Sequence, residues 1–344
     1  MFNPYPNLPH QIRNYVLKSV LGNGGFGIVY KATNPLYNLD FAVKVVCDPK
    51  DKASKITKSF DAEVNALLTL DHPNVIRLYD FFREDNYMFL VLEYCPGGTL
   101  ENKIKNNELL TTQNKITICS QILSALKYCY DMSIAHRDIK TSNVLFDANG
   151  RVKVADFGLS ELIGHDENFN EFNGSRYYIA PEIYKKISFS PFKADVWSLG
   201  VLFYRLFSYS YPFTGKNTAD LKKKIILGFY PQVLAPPLSD VVRYMLAIEP
   251  DERLTIEELS NFAFFKTVRR TNTSSISEFS TSRNKLGRGL PNVQLSSSAN
   301  NRLKRDPGLT FNQGLQPGKG GAKCFSLHSS VFSSSRITAE KPKK

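Results

Sequence analysis

The chain has 344 residues, 42% of them hydrophobic and 22% charged, ample for one sizeable core or two modest ones. No stretch approaches the ~20 apolar residues that a membrane-crossing helix needs, and residues 1–10 lack the basic start and apolar run of a secretory signal. The formal net charge of +12 is held unevenly: residues 267–344 carry 14 Lys/Arg against 3 Asp/Glu, and residues 1–266 carry 30 against 29. The excess describes a tail and says little about the partners of the rest. Five cysteines (Cys47, Cys95, Cys119, Cys129, Cys324) are odd in number and scattered, which predicts reduced thiols in an intracellular, cytoplasmic protein, with the nucleus open through the basic tail.

Residues 15–31 and 41–46 are rich in Val, Ile and Tyr and predict strands. Inside the first run, Gly22-Asn23-Gly24-Gly25-Phe26-Gly27-Ile28-Val29 reads G-x-G-x-x-G-x-V. A dinucleotide site needs a helix directly after such glycines. Ile28-Val29-Tyr30 favours another strand, so the glycines are expected at the tip of a hairpin. Phe41-Ala42-Val43-Lys44 sets a lysine inside an apolar strand, which is costly unless its ammonium finds anions. Either Lys44 faces solvent on an edge strand, or it meets nucleotide phosphates and a carboxylate. Residues 59–70 place Phe60, Val64, Leu67 and Leu68 at helical spacing, and Glu63 is expected to open that helix.

Residues 75–82 and 87–93 read as two further strands. Past Pro96 the period turns helical, over residues 115–132, 193–207, 221–226, 241–247 and 256–262. After Phe265 the apolar periodicity stops. The remaining tail carries 14 Ser, including Ser296-Ser297-Ser298 and Ser333-Ser334-Ser335, and predicts disorder. Its role is open between a solvated tail and a phosphorylatable or docking tail that meets acidic surfaces. The sum is an α+β chain, a small β-rich part followed by a larger α-rich part, with a ligand cleft expected between them.

The chemistry concentrates further along. His136-Arg137-Asp138-Ile139-Lys140-Thr141-Ser142-Asn143 follows a long helix, and Asp156-Phe157-Gly158 follows the strand-like Val152-Lys153-Val154. Asp138, Asn143 and Asp156 supply the carboxylate and amide oxygens that Mg²⁺ takes alongside phosphate and water. Any one of these Asp residues alone is most simply a turn or cap residue; the ordered set, after the glycines and Lys44, is not.

Over residues 14–266 the chain resembles the protein kinase superfamily of eukaryotic Ser/Thr type. The resemblance implies a bilobal fold: an N-lobe over 14–92 with one long helix, a hinge at 93–95 and a helical C-lobe over 96–266, flanked by an extension at 1–13 and the tail at 267–344. It implies ATP and Mg²⁺ as cofactors. Leu21, Gly22, Asn23, Gly24, Gly25, Phe26 and Gly27 would cover the phosphates. Lys44 would hold two of them and be positioned by Glu63. Asp138 would accept the substrate proton, with Lys140 against the γ-phosphate as in Ser/Thr kinases. Asn143 and Asp156 would hold the metal. Leu92 would be the gatekeeper, Glu93 and Cys95 the hinge that meets adenine, and Val29, Ala42 and Leu145 the residues that sandwich the purine. Leu67, Leu78, His136 and Phe157 match the hydrophobic stack of active kinases. Glu182 in Ala180-Pro181-Glu182 should pair with Arg253, and Asp195 should anchor the catalytic loop.

Gly174-Ser175-x-x-Tyr178-x-Ala180-Pro181-Glu182 resembles the calmodulin-dependent and AMP-activated-type kinases. Where those relatives carry a phosphorylated Thr, this chain has Glu171, and residues 161–173 hold no Ser, Thr or Tyr. Either Glu171 gives Arg137 a fixed negative charge, so that the segment orders without phosphorylation, or Glu171 is a solvated loop residue. Ser175 resembles a residue that shapes the acceptor pocket. Thr99 and Ser142 stand where arginine-seeking relatives carry Glu, so a strong preference for Arg before the acceptor is not expected, although Glu101 lies near enough to Thr99 to substitute. The implied partners are proteins with Ser or Thr acceptors. No membrane is implied, and the basic tail alone leaves nucleic acid open. The alternatives are a pseudokinase-like ATP-binding scaffold, which is expected to have lost Lys44, Asp138 or Asp156, and a non-kinase nucleotide binder, which leaves those residues unexplained.

Overall fold

Alternation of side chains sorts the first part of the chain into a sheet. The computed structural model describes residues 4–24, 27–49, 54–108, 110–159, 161–162 and 176–265. Six antiparallel strands form the sheet: β1 (His10–Ile12), β2 (Tyr15–Gly24), β3 (Gly27–Asn34), β4 (Leu39–Cys47), β5 (Leu78–Glu84) and β6 (Tyr87–Glu93), in the order β1-β2-β3-β4-β6-β5. On β4, Phe41, Val43 and Val45 pack into an outer cluster with Leu17, Tyr30 and Phe89. The period of two therefore turns Ala42, Lys44 and Val46 to the other face, where Ala42 and Val46 join the main core. That alternation is why a lysine sits in this strand facing the cleft.

Helix α1 (Lys55–Thr69) crosses that inner face. Ser54 caps it, its side chain accepting from Thr57 N. Phe60, Glu63, Val64 and Leu67 fall on its buried stripe. Glu63 is thus a mid-helix residue and does not open the helix: the capped turn begins eight positions earlier, at Lys55, where the apolar spacing is weak. β1 was not foreseen. Its three residues pair with Tyr15, Val16 and Leu17, and Tyr5 before it packs beside Tyr30, Tyr87 and Phe89.

The second part is helical: α2 (Leu100–Lys105), α3 (Thr112–Asp131), α4 (Pro181–Lys185), α5 (Pro191–Ser208), α6 (Thr218–Leu227), α7 (Leu238–Met245) and α8 (Ile256–Asn261). Short strands β7 (Ile134–Ala135), β8 (Val144–Phe146), β9 (Val152–Val154) and β10 (Glu161–Leu162) pair as β8 with β9 and β7 with β10. α5 is the axis of this lobe. Every residue from Ala194 to Leu206 is buried, as expected of a helix packed all round. Trp197 stacks on Phe213 at 5.5 Å between ring centroids. Among the described residues no helix is long and apolar enough to cross a membrane. Gly25, Phe26, Glu171, Ser175, Lys266 and the tail at 267–344 lie outside the described residues.

His72, just after α1, gives this fold a pH dependence. Its Nδ1 accepts from Asn74 N at 3.1 Å, its Nε2 meets Ser124 Oγ at 3.2 Å, and the ring stacks on Tyr128. Burial, helped by the charge of Lys153, pushes the imidazole down from 6.5 to about 4. The unfolded chain therefore takes up the proton first. The stability contribution is present above about pH 6.5 and is lost as pH falls through about 4. The ring is half-open to solvent, so the loss is on the order of 1 kcal/mol. Urea midpoints of the protein and of His72→Asn, at pH 7 and pH 5, should show the smaller pH slope in the variant.

Candidate active site

Four elements bring the polar residues together. β4 supplies Lys44, α1 supplies Glu63, and the segment after β9 supplies Asp156. Lys44 Nζ donates to Glu63 Oε2 at 2.7 Å and to Asp156 Oδ1 at 2.9 Å. Burial works to lower the Lys44 ammonium, but the two carboxylates outweigh it and hold it above its ordinary value. Burial also pushes the Glu63 carboxyl up, against the pull of Lys44. For Asp156 the balance falls the other way: burial would raise it, yet Lys44 brings it below the usual carboxylate range. The cluster is an ammonium held between two acids, one of them ionised firmly enough to offer an anionic oxygen.

The loop between β7 and β8 provides the remainder. Lys140 Nζ donates to Asp138 Oδ2 at 2.5 Å, and Asn143 Nδ2 donates to Asp138 O and Oδ2 at 2.9 and 3.1 Å. Burial raises the Asp138 carboxyl, partly offset by Lys140. Asp195 of α5 accepts from His136 N at 2.7 Å, Arg137 N at 2.8 Å and Tyr130 OH at 3.1 Å. Those bonds hold Arg137 at φ 65°, and Asp156 sits at φ 68°. Left-handed backbone at a non-glycine costs about 1–3 kcal/mol and persists only where the surroundings enforce it. Here a buried carboxylate enforces one and the Lys44 bridge accompanies the other.

The apolar side of the cleft is also assembled. Leu92 and Leu67 are buried, with Ala42, Leu78 and Leu145 packed against the same core. His136 and Phe157 lie 4.6 Å apart between ring centroids. Val29 faces Lys44 across β3–β4, and Ala42 faces Leu92 across β4–β6. Gly22, Asn23 and Gly24 end β2 beside Gly27, so the glycines do cap a hairpin, with Leu21 exposed just before them. A Cβ on Gly27 would stand 2.2 Å from Val45 O, which excludes any other residue there. Glu93 closes β6 with its N–H on Arg77 O at 2.9 Å; Cys95, half-buried, follows.

Several contacts had no signal in the sequence. Ser59 Oγ donates to Gly158 O at 2.6 Å and so ties α1 to the segment that carries Asp156. A Cβ on Gly158 would come within 2.8 Å of that same Oγ. Lys153 bridges to Glu93 at 2.8 Å. Tyr178 OH lies 2.9 Å from Thr141 Oγ1. Glu101, read as a substitute arginine receptor, is engaged internally: Arg205 Nη2 donates to its Oε1 at 2.8 Å and Thr141 Oγ1 to its Oε2.

The description that fits this geometry is that of the protein kinase domain, whose family model matches residues 15–265. The chain belongs to the protein kinase family. Its kinase domain is 33% identical over 256 residues to NUAK family SNF1-like kinase 1 of Homo sapiens, covering 74% of this chain and 38% of that protein. The chain therefore spans about two fifths of that relative's length. The likeness is in keeping with the AMP-activated-type motif around Gly174 and Ala180.

The residues of this kinase domain fit Mg²⁺ and ATP. Among the described residues no cluster of three or more His, Cys, Asp or Glu is arranged for a metal. Mg²⁺ does not need one, since it commonly takes one or two protein oxygens and completes its shell with phosphate and water. Asp156 has its second carboxylate oxygen to give, and Asn143, whose Nδ2 is used on Asp138, has its amide oxygen.

Proposed function

We propose that the chain transfers the γ-phosphoryl group of ATP to Ser or Thr hydroxyls of proteins. The observation that carries this reading is the Lys44 bridge to both Glu63 and Asp156, standing over an intact Asp138, Lys140 and Asn143 set. An ammonium between two carboxylates is ready to exchange part of its pairing for phosphate oxygens. When bound, Mg²⁺ neutralises charge on the phosphates. Asn143 and Asp156 hold it. Lys44 orients the α- and β-phosphates, and Glu63 keeps Lys44 in place. The loop at Leu21, Gly22, Asn23, Gly24, Gly25, Phe26 and Gly27 covers the phosphates. Val29, Ala42, Leu92 and Leu145 enclose the base, and the backbone of Glu93 and Cys95 meets its edge. Asp138 orients the acceptor hydroxyl and takes its proton; the upward push of burial on its carboxyl suits a proton acceptor. Lys140 stabilises the transferred group. Positioning and charge neutralisation supply most of the rate, so these few groups suffice. Residues 14–266 form the catalytic unit, working in cytoplasm or nucleus.

A finer part of the reading concerns control: Glu171, outside the described residues, supplies Arg137 with a fixed negative charge in place of a phosphate, so the unphosphorylated chain turns over. The test uses full-length chain made in bacteria and treated with phosphatase, given ATP, Mg²⁺ and generic protein substrates. Label on Ser and Thr, lost with chelator and in Asp156→Asn, is the expected result. ATP binding with no label under any condition, including after an upstream kinase, would instead identify an ATP-binding scaffold. Activity only after the upstream kinase would sink the Glu171 part alone.

A further inference from the structure

Beside the catalytic loop lies a surface whose charge is the reverse of an arginine receptor. Glu101 reaches that loop through the Thr141 hydroxyl, three residues after Asp138. The Glu101 carboxylate is spent on this chain's own cations: Arg205 at 2.8 Å and Lys105 at 3.3 Å. Arg205 is buried, and its guanidinium lies 3.8 Å from the Tyr211 ring centroid, so it is not free to leave. Two cations on one acid leave this corner positive.

The neighbouring block continues the same sign. Tyr178 OH joins Thr141, Tyr184 OH donates to Arg176 O at 3.0 Å, and Arg176 Nη1 donates to Thr218 Oγ1 at 2.9 Å. Residues 176–178, α4 and α6 are therefore tied to one another and, through the buried Tyr178 and Thr141, to the loop that holds Asp138. They present Arg176, Lys185, Lys186, Lys222 and Lys223. Among the described residues of these elements the acids are occupied. Glu182 is buried on Arg253, and Asp220 accepts from Lys216 N at 2.9 Å and sits 3.5 Å from Lys224. Glu249, from outside these elements, reaches Lys185 only at 4.0 Å.

We propose that this surface selects acceptor sites flanked by Asp and Glu, and gives no advantage to arginine before the acceptor. The inference rests on the phosphotransferase reading and names its substrate class. An acidic peptide side chain within reach of these cations gains a close, screened ion pair, about two- to fivefold in affinity for each well-placed residue. A substrate arginine meets a Glu101 already neutralised and a surface of like charge, which repels it. Because the pairs are exposed, the preference weakens with salt.

The experiment uses the full chain with a Ser-centred positional peptide library, followed by KM and kcat for one acidic, one neutral and one arginine-bearing peptide at low and high salt. Enrichment of Asp or Glu, with an acidic-peptide KM that rises with salt, is expected. The double variant Lys222→Glu/Lys223→Glu should raise that KM about four- to 25-fold with little change in kcat, and Lys222→Arg/Lys223→Arg should restore it. Dominant arginine, a charge-indifferent profile, or an unchanged KM in the Glu variant overturns the inference. Binding of the same three peptides, followed by fluorescence anisotropy, separates the two readings. Should no peptide be phosphorylated, with or without prior treatment by an upstream kinase, the phosphotransferase reading falls. Tighter binding of the acidic peptide then still supports the surface, and equal or reversed binding overturns it.

Discussion

Replacing Arg253 by methionine is expected to remove roughly 3–5 kcal/mol of stability, the range for breaking a buried ion pair from one side. Arg253 is 2% exposed and Glu182 1%. The guanidinium donates to both Glu182 oxygens at 2.7 Å, and also to Ala247 O, Lys193 O and Ile248 O at 2.9, 2.9 and 3.2 Å. It lies 5.1 Å from the Trp197 ring. Removing it strands a carboxylate and three carbonyls in the lobe's interior, far from water. The methionine itself fits the volume, so the cost is electrostatic. Replacing both partners, Glu182→Leu with Arg253→Met, should therefore recover much of the loss, because neither charge is then left alone. Urea unfolding of the two singles and the double measures this as a cycle. A loss under about 1 kcal/mol for Arg253→Met would mean that water reaches Glu182. Glu182 lies in the first turn of α4, just after residues 176–180, so the variant should also disturb the surface beside the catalytic loop.

Asp138→Asn should lower kcat by about 10²- to 10⁴-fold, the span for losing a general base, while ATP binding stays within about threefold. Asparagine keeps the shape of the side chain. It cannot accept a proton, and if its amide nitrogen takes the Oδ2 position it faces the Lys140 and Asn143 donors that now converge there. Nucleotide binding depends on Lys44, Asp156 and the apolar walls, which the substitution leaves alone. Steady-state kcat, KM for ATP and direct binding of a fluorescent nucleotide separate the two effects. A kcat within tenfold of the parent would remove Asp138 from the role of proton acceptor. Loss of nucleotide binding in parallel would make its role structural, through Asn143.

The comparison between sequence and structure is uneven across the site. Lys44 and Glu63 were legible because burying an ammonium in an apolar strand demands anions; Asp156 was legible by its motif as a metal-holding residue, and its bond to Lys44 appears only in the structure. The Glu182–Arg253 and Asp195–backbone bonds were expected from motif resemblance and are found as expected. Helix caps leave a weaker trace than apolar period, so the sequence pattern starts α1 too late and sets Glu63 at its opening. β1 was missed since three residues carry too little alternation to register. Ser59 on Gly158 O and Arg205 on Glu101 were invisible for a stronger reason. Each joins residues about a hundred positions apart, and neither partner is unusual in its local context.

By itself the sequence determined which chemistry is available. Gly22 to Gly27, Lys44, Asp138, Asn143 and Asp156 are a covalent fact of the chain, and their order suffices to name the family. The period of 3.6 in α1 also decided which face turns inward, because apolar burial favours one face of such a helix; β4, buried on both faces, and α5, buried all round, offered no such choice. What only the tertiary structure decided is how those groups are charged and paired. Whether Lys44 meets one acid or two depends on three elements converging, and so does the opposite push on Asp138 and Asp156. The same holds for Glu101, an acid on paper and half of a neutralised pair in the fold. Coulomb energies depend on distance and burial, and neither exists until chain segments far apart in sequence are packed together.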